Sequence, residues 1–288
     1  MRLVTLGHSD AESAGVAIGG RVIDLGIPIE AILATPRRQW PVAPRGDRRG
    51  TPLEEAVLRA PVPHPGKIIA IGMNYLDHCA EQGIEPPKEP LVFAKFPSAV
   101  VGPGEAVSWP TDVTDVDWEV ELAVVIGAGA NYGPRRRHDI SIAGYTIAND
   151  VSARDLQTRD GQFVRAKSLD TFCPLGPFLV SADEVPHPGQ LGLSLQLNGL
   201  EMQRSNTDQL IFGVSELFDF CRRYFTLDPG DIILTGTPPG VGVFRTPPVF
   251  LAAGDVMVAA IDGLGELRTP VAGHRPEAEP LSDRPHGQ

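Results

Sequence analysis

The segment Asp117-Trp118-Glu119-Val120-Glu121-Leu122-Ala123-Val124-Val125-Ile126-Gly127 sets carboxylates at alternate positions in an apolar, β-branched run. Such a run predicts a strand over Val120–Ile126. Residues two apart on a strand share a face, so Glu119 and Glu121 point together while Val120 and Leu122 face the other way. Adjacent carboxylates repel unless a cation or a shared proton neutralises them. A second predicted strand, Gly144–Ala148, runs into Asn149 and Asp150. If the two strands are neighbours, Asp150 completes a three-carboxylate site. Oxygen ligands with no His or Cys nearby suit a hard divalent ion, Mg²⁺ or Mn²⁺, with Ca²⁺ a substitute less suited to catalysis. Taken alone, Glu-x-Glu fits a solvated strand face equally well.

A second group lies in Gly72-Met73-Asn74-Tyr75-Leu76-Asp77-His78-Cys79-Ala80-Glu81, after a predicted strand Lys67–Ile71. His78 and Glu81 are three apart, which on a helical turn brings them into contact. A carboxylate beside an imidazole fixes its tautomer and raises its basicity, as a general base acting on water requires. An ordinary surface His–Glu contact would show the same spacing. The stretch 82–90 carries Gly83, Pro86, Pro87 and Pro90 and has the composition of a lid rather than a core.

The chain holds only four lysines, Lys67, Lys88, Lys95 and Lys167, against 21 arginines. A lysine kept against such a bias is a candidate for a role that needs a compact charge with a shiftable pKa. Lys95, in the apolar Val92–Phe96, and Lys167 are therefore candidates to hold an anion or to stabilise developing negative charge. Two glycine-rich stretches are set aside. In Gly127–Gly133 the third glycine falls one place late for a dinucleotide loop, and Pro134 follows instead of an apolar helix. Thr235–Gly240 lacks the Gly-Lys-Ser/Thr ending of a phosphate loop; it reads as a rigid turn presenting Thr237 and backbone N–H groups to a carboxylate.

The elements that must position these groups are mostly short strands. Arg2–Leu6, Val16–Ile18, a Gly19-Gly20 turn and Arg21–Leu25 open the chain; Leu193–Leu197, Asp231–Leu234 and Val256–Ile261 are among the later strand signals. Helical spacing marks Asp208–Tyr224, and a short helix is expected near Leu53–Arg59. With 31 Gly and 28 Pro, many tight turns are implied. The fold class is mainly β with some α. Domains are expected over 1–62 (small, N-terminal), 63–273 (catalytic) and 274–288 (a polar, disordered tail).

A net charge of −11 argues against a nucleic-acid partner. No apolar run approaches a membrane span, the N-terminus lacks signal-peptide features, and Cys79, Cys173 and Cys221 are scattered. A cytoplasmic protein acting on a small molecule is the expectation.

Together, Gly72–Tyr75 with His78 and Glu81, Phe93-Ala94-Lys95, Asp117–Gly127, Asn149–Asp155, Lys167–Phe172 and Leu234–Gly242 fall in an order that resembles the fumarylacetoacetate hydrolase family. The resemblance covers roughly 65–270 and is nearest to the fumarylacetoacetate hydrolase domain-containing protein 2 branch. It implies a mixed β-sandwich roll, usually a homodimer, with Mg²⁺ or Mn²⁺ held by Glu119, Glu121 and Asp150 and chelating a 2-oxo acid. It also implies a His78–Glu81 dyad on a lid, Lys167 stabilising an enolate, and Lys95, Arg154, Gln157 and Thr237 contacting substrate. The expected activity is hydrolysis of a C–C bond in an acylpyruvate or fumarylpyruvate. The same intermediate would serve oxaloacetate decarboxylation, keto–enol tautomerisation or isomerisation of the 2-hydroxyhepta-2,4-diene-1,7-dioate type. The alternative of another class is a non-catalytic, metal-dependent 2-oxo acid binding protein.

Overall fold

Two sheets dominate the computed structural model, which describes residues 1–7, 11–41, 50–133, 135–136 and 138–274. The expected tail beyond His274 lies outside the described residues, as does 42–49 of the Pro- and Arg-rich stretch. The larger sheet runs, edge to edge, Thr51–Pro52, Arg21–Asp24, Glu12–Ile18, Arg2–Gly7, Cys173–Ser181, Ile140–Asn149, Val120–Ala128, Ile232–Leu234, Ile68–Gly72 and Leu91–Lys95. The smaller orders Leu200–Asn206, Gly192–Leu197, Val256–Ile261, Gly265–His274 and Val107–Trp109.

Burial patterns show why the sheets stack. Val120–Ala128 and Cys173–Ser181 are buried at every position, as strands covered on both faces must be. Gly192–Leu197 and Val256–Ile261 alternate, turning Leu193, Leu195, Leu197, Met257, Ala259 and Ile261 inward. That inner face packs on the strands Val120–Ala128 and Ile140–Asn149, while Gly265–His274 packs on Cys173–Ser181. The architecture is the mainly β, sandwich-like α+β arrangement expected.

The N-terminal strands join the main sheet directly, Arg2–Gly7 pairing with Cys173–Ser181. A folding unit bounded at residue 62 therefore stays a proposal, to be tested by expressing 63–274 alone.

Two helix expectations need correction. Leu53–Arg59 forms a 3₁₀ turn, Leu53–Glu55, then a strand, Leu58–Arg59, captured by Arg2–Gly7. The helix expected from Asp208 begins at Val214, after a 3₁₀ turn over Thr207–Gln209. The side chain of buried Asn74 is the reason. Its Oδ1 accepts from Phe212 N at 2.9 Å while its carbonyl accepts from Ile211 N at 2.8 Å, so that segment is held extended. Gly213 then starts the helix.

Candidate active site

Register brings the carboxylates together. Val120 pairs with Asn149 and Glu121 with Ala148. Beyond the ladder, Asn149 Oδ1 accepts from Glu119 N at 2.9 Å and Asp150 N donates to the Glu119 carbonyl at 2.8 Å. The strand begins at Val120, one residue after Glu119, yet Glu119, Glu121 and Asp150 offer oxygens within 4.8 Å of one another. All three are buried.

Cations surround the trio unevenly. Lys167 Nζ donates to Glu119 Oε2 and Asp150 Oδ2, both at 2.8 Å. Lys95 Nζ donates to Asp150 Oδ1 at 2.6 Å and to the Lys167 carbonyl. Arg154 donates from Nε to Asp117 Oδ1 at 2.7 Å, from one terminal nitrogen to Glu119 Oε1 at 2.6 Å, and from the other to Gln157 Oε1 at 2.9 Å. Glu121 accepts from Gly236 N at 2.6 Å and has no ammonium or guanidinium against it among the described residues.

The titration directions follow. Burial would raise Glu119, but Lys167 and then Arg154 outweigh it and hold its carboxyl at about 2. Glu121 lies well above its ordinary value through burial first, then the charges of Asp150 and Glu119. Burial works against charged Lys167, yet Asp150 and Glu119 raise it above the ordinary lysine value. An all-oxygen trio with an under-compensated member fits a hard divalent cation, which Glu119, Glu121 and Asp150 could hold.

The helix Leu76–Gln82 faces this cluster. His78 Nδ1 lies 2.9 Å from Glu81 Oε2, and Glu81 Oε1 accepts from Gly240 N at 2.9 Å. A cavity of about 80 Å³ separates His78 from Glu119, Arg154, Gln157 and Lys167, closed by Met73, Phe93, Phe163, Thr237 and Phe244. Phe93 and Phe163 meet edge-on at 5.3 Å, and the Lys167 ammonium sits 5.3 Å over the Phe93 ring.

Of the residues singled out from sequence, His78, Glu119, Arg154, Gln157, Lys167 and Thr237 line one cavity. Glu81, Glu121, Asp150 and Lys95 do not line it. Lys95 is fully buried and donates to Asp150 and the Lys167 carbonyl, beside the carboxylates. The Thr237 hydroxyl donates to the Val120 carbonyl at 3.0 Å and accepts from Gln203 at 2.9 Å, so only a lone pair remains for a ligand.

Sequence reasoning missed Asp117, Gln82, Gln203 and the three phenylalanines. Asp117 was legible as a third carboxylate in the same run; the others come from segments far apart and carried no local signal.

Comparisons with known proteins give the family. Residues 67–272 match the fumarylacetoacetate (FAA) hydrolase C-terminal family. The chain belongs to that family. It is 50% identical over 244 residues to the mitochondrial oxaloacetate tautomerase FAHD2A of Bos taurus, covering 83% of this chain and 75% of that protein. Among solved structures, a 5-carboxymethyl-2-hydroxymuconate delta-isomerase from Mycobacterium smegmatis is 35% identical. It aligns with a TM-score of 0.74 over 96% of this chain and all of that one. The fumarylacetoacetate hydrolase from Exiguobacterium antarcticum is 33% identical, with a TM-score of 0.76 over 95% of this chain and 99% of that one.

Proposed function

We propose that this chain moves a proton on a small 2-oxo acid of the oxaloacetate type, interconverting its keto and enol forms. The observation that carries the reading is the cavity. It sets the His78 imidazole across from Glu119, Arg154, Gln157 and Lys167, so a base faces groups able to bind a carboxylate and to stabilise an enolate oxygen. Keto–enol interconversion asks for nothing beyond such a base and such an anion site.

A divalent ion held by Glu119, Glu121 and Asp150 would polarise the 2-oxo group and make the neighbouring C–H acidic. His78 takes that proton on Nε2 and returns it to oxygen, so no proton is consumed. Glu81 keeps the imidazole oriented through Nδ1. The Lys167 ammonium stabilises the negative charge that develops on oxygen. Three of Arg154's five N–H groups are engaged in the bonds above, which leaves two to meet a substrate carboxylate beside Gln157.

The bovine relative's name supports this reading, as does that of the mycobacterial isomerase. Hydrolysis of an acylpyruvate is the second reading, favoured by the intact His78–Glu81 bond and by the name of the Exiguobacterium relative. A homodimeric assembly and a cytoplasmic location belong to the same proposal. No helix among the described residues is long and apolar enough to cross a membrane, and the bovine relative is named as mitochondrial.

The test follows enol-oxaloacetate absorbance with Mg²⁺ or Mn²⁺, alongside pyruvate release from acetylpyruvate and fumarylpyruvate. Metal-dependent loss of the enol, abolished in Glu119→Ala and His78→Ala, is expected. Pyruvate release without accelerated enol loss would transfer the assignment to hydrolysis, and carbon dioxide release to decarboxylation. Oxalate binding without any turnover would leave a binding protein.

A further inference from the structure

Gln82 ends the helix Leu76–Gln82, four residues after His78 and on the same face. Its amide nitrogen lies 2.9 Å from His78 Nε2 and 3.6 Å from Met73 Sδ. On the other side of the ring, Nδ1 lies 2.9 Å from Glu81 Oε2. A carboxylate only accepts, so Nδ1 carries the hydrogen; an amide nitrogen only donates, so Nε2 offers it a lone pair. These contacts match one tautomer, in which the lone pair the ring could use as a base is covered by an amide N–H. The Met73 sulfur, a weak acceptor within reach of the same nitrogen, favours this orientation of the carboxamide over its flipped form.

The other charged groups facing His78 are Glu119, Arg154 and Lys167 across the cavity, and the Phe244 ring lies 5.9 Å from the imidazole. None of them hydrogen-bonds to the ring among the described residues, which leaves Gln82 as the partner of Nε2.

We propose that Gln82 is a positioning residue that holds the His78 lone pair at the cavity wall and exchanges its own N–H for the substrate's acidic hydrogen. The inference rests on the reading of His78 as the proton carrier. When the C–H bond breaks, its electron pair stays on the substrate and the proton goes to Nε2. An Nε2–H can no longer face an amide nitrogen. A half-turn of the carboxamide then brings Gln82 Oε1 round to accept from it, so one side chain serves both protonation states of the ring.

The experiment is ¹⁵N NMR of the histidine rings in the metal-free protein, with the His78 signals identified by their loss in His78→Gln. In Gln82→Leu, the Nε2 resonance moves toward that of a free lone pair while Nδ1 stays in place. In Gln82→Glu, a carboxylate on each side turns the ring into an imidazolium, with both nitrogens protonated. Turnover of enol-oxaloacetate falls in kcat by about tenfold in Gln82→Leu and about 100-fold in Gln82→Glu, with KM changed less than about twofold. An Nε2 signal that is unmoved in Gln82→Leu overturns the proposal, as does movement of both nitrogens together with loss of helical circular dichroism. If wild-type protein converts no probe while the Nε2 shift is present, the proposed activity fails and the Gln82 contact stands.

Discussion

At the scale of single residues, the uneven neutralisation of the carboxylates decides what each substitution does. Lys167 bonds to two of the three, so Lys167→Met strips charge from Glu119 and Asp150 together. The expected results are a fall in kcat of about 10²- to 10³-fold and a destabilisation of about 3–5 kcal/mol without metal, read by steady-state kinetics and urea unfolding. Lys167→Arg does not rescue, because a planar fork cannot replace a compact ammonium between two carboxylates. Glu121 behaves oppositely. Burial and two neighbouring anions make its charge unfavourable, so Glu121→Gln raises the metal-free melting temperature by about 2–4 °C for each kcal/mol of repulsion relieved. The same variant is expected to gain less stability from added Mn²⁺ than the wild type, which differential scanning calorimetry with and without the ion measures.

At the scale of elements, two glycines do what no other residue could. Gly240 sits at φ +99°, and a Cβ there would stand 2.1 Å from the Met202 carbonyl. Its N–H also holds Glu81. Gly240→Ala is therefore expected to cost at least about 1–3 kcal/mol and to weaken turnover by loosening Glu81, both measurable on the same preparation. Gly236, at φ +97°, lets its N–H reach Glu121 where a Cβ would press on Asn74. How much could be read beforehand differs by element. The strand Val256–Ile261 was legible to the residue because its apolar run coincides with its ladder. The His78–Glu81 turn was legible because helical spacing is a local property. Residues 208–213 were not, since their apolar spacing continues a helix that Asn74, some 138 positions earlier, prevents. Gln82 was equally hidden: a glutamine carries no signal until the ring it faces is known.

At the scale of the molecule, the buried charges set the response to acid. Glu119 is held at about 2 when folded, against an ordinary 4.5, so its contribution is present above pH 4.5 and lost as the pH falls toward 2. Glu121 and Asp117, raised chiefly by burial, take up protons earlier when folded than when unfolded, which favours the folded state as the pH drops from neutrality. The metal-free protein is therefore expected to melt highest at mildly acidic pH and to lose stability steeply below pH 4.5; a melting series across pH checks both limbs.

The order of strands carries a further consequence, one that concerns synthesis. Ile232–Leu234 lies between Val120–Ala128 and Ile68–Gly72 in the main sheet, and among the described residues Ile68–Gly72 and Leu91–Lys95 join the rest of this sheet only through it. A chain emerging from the ribosome has made both flanking strands long before their shared neighbour. Until residue 234 is free of the exit tunnel, two apolar strand edges stay open and the imidazole and the carboxylates belong to separate pieces. The nascent chain is therefore expected to keep these edges exposed until then, and a ribosome stalled before residue 231 should display a chain that proteases cut between 68 and 128.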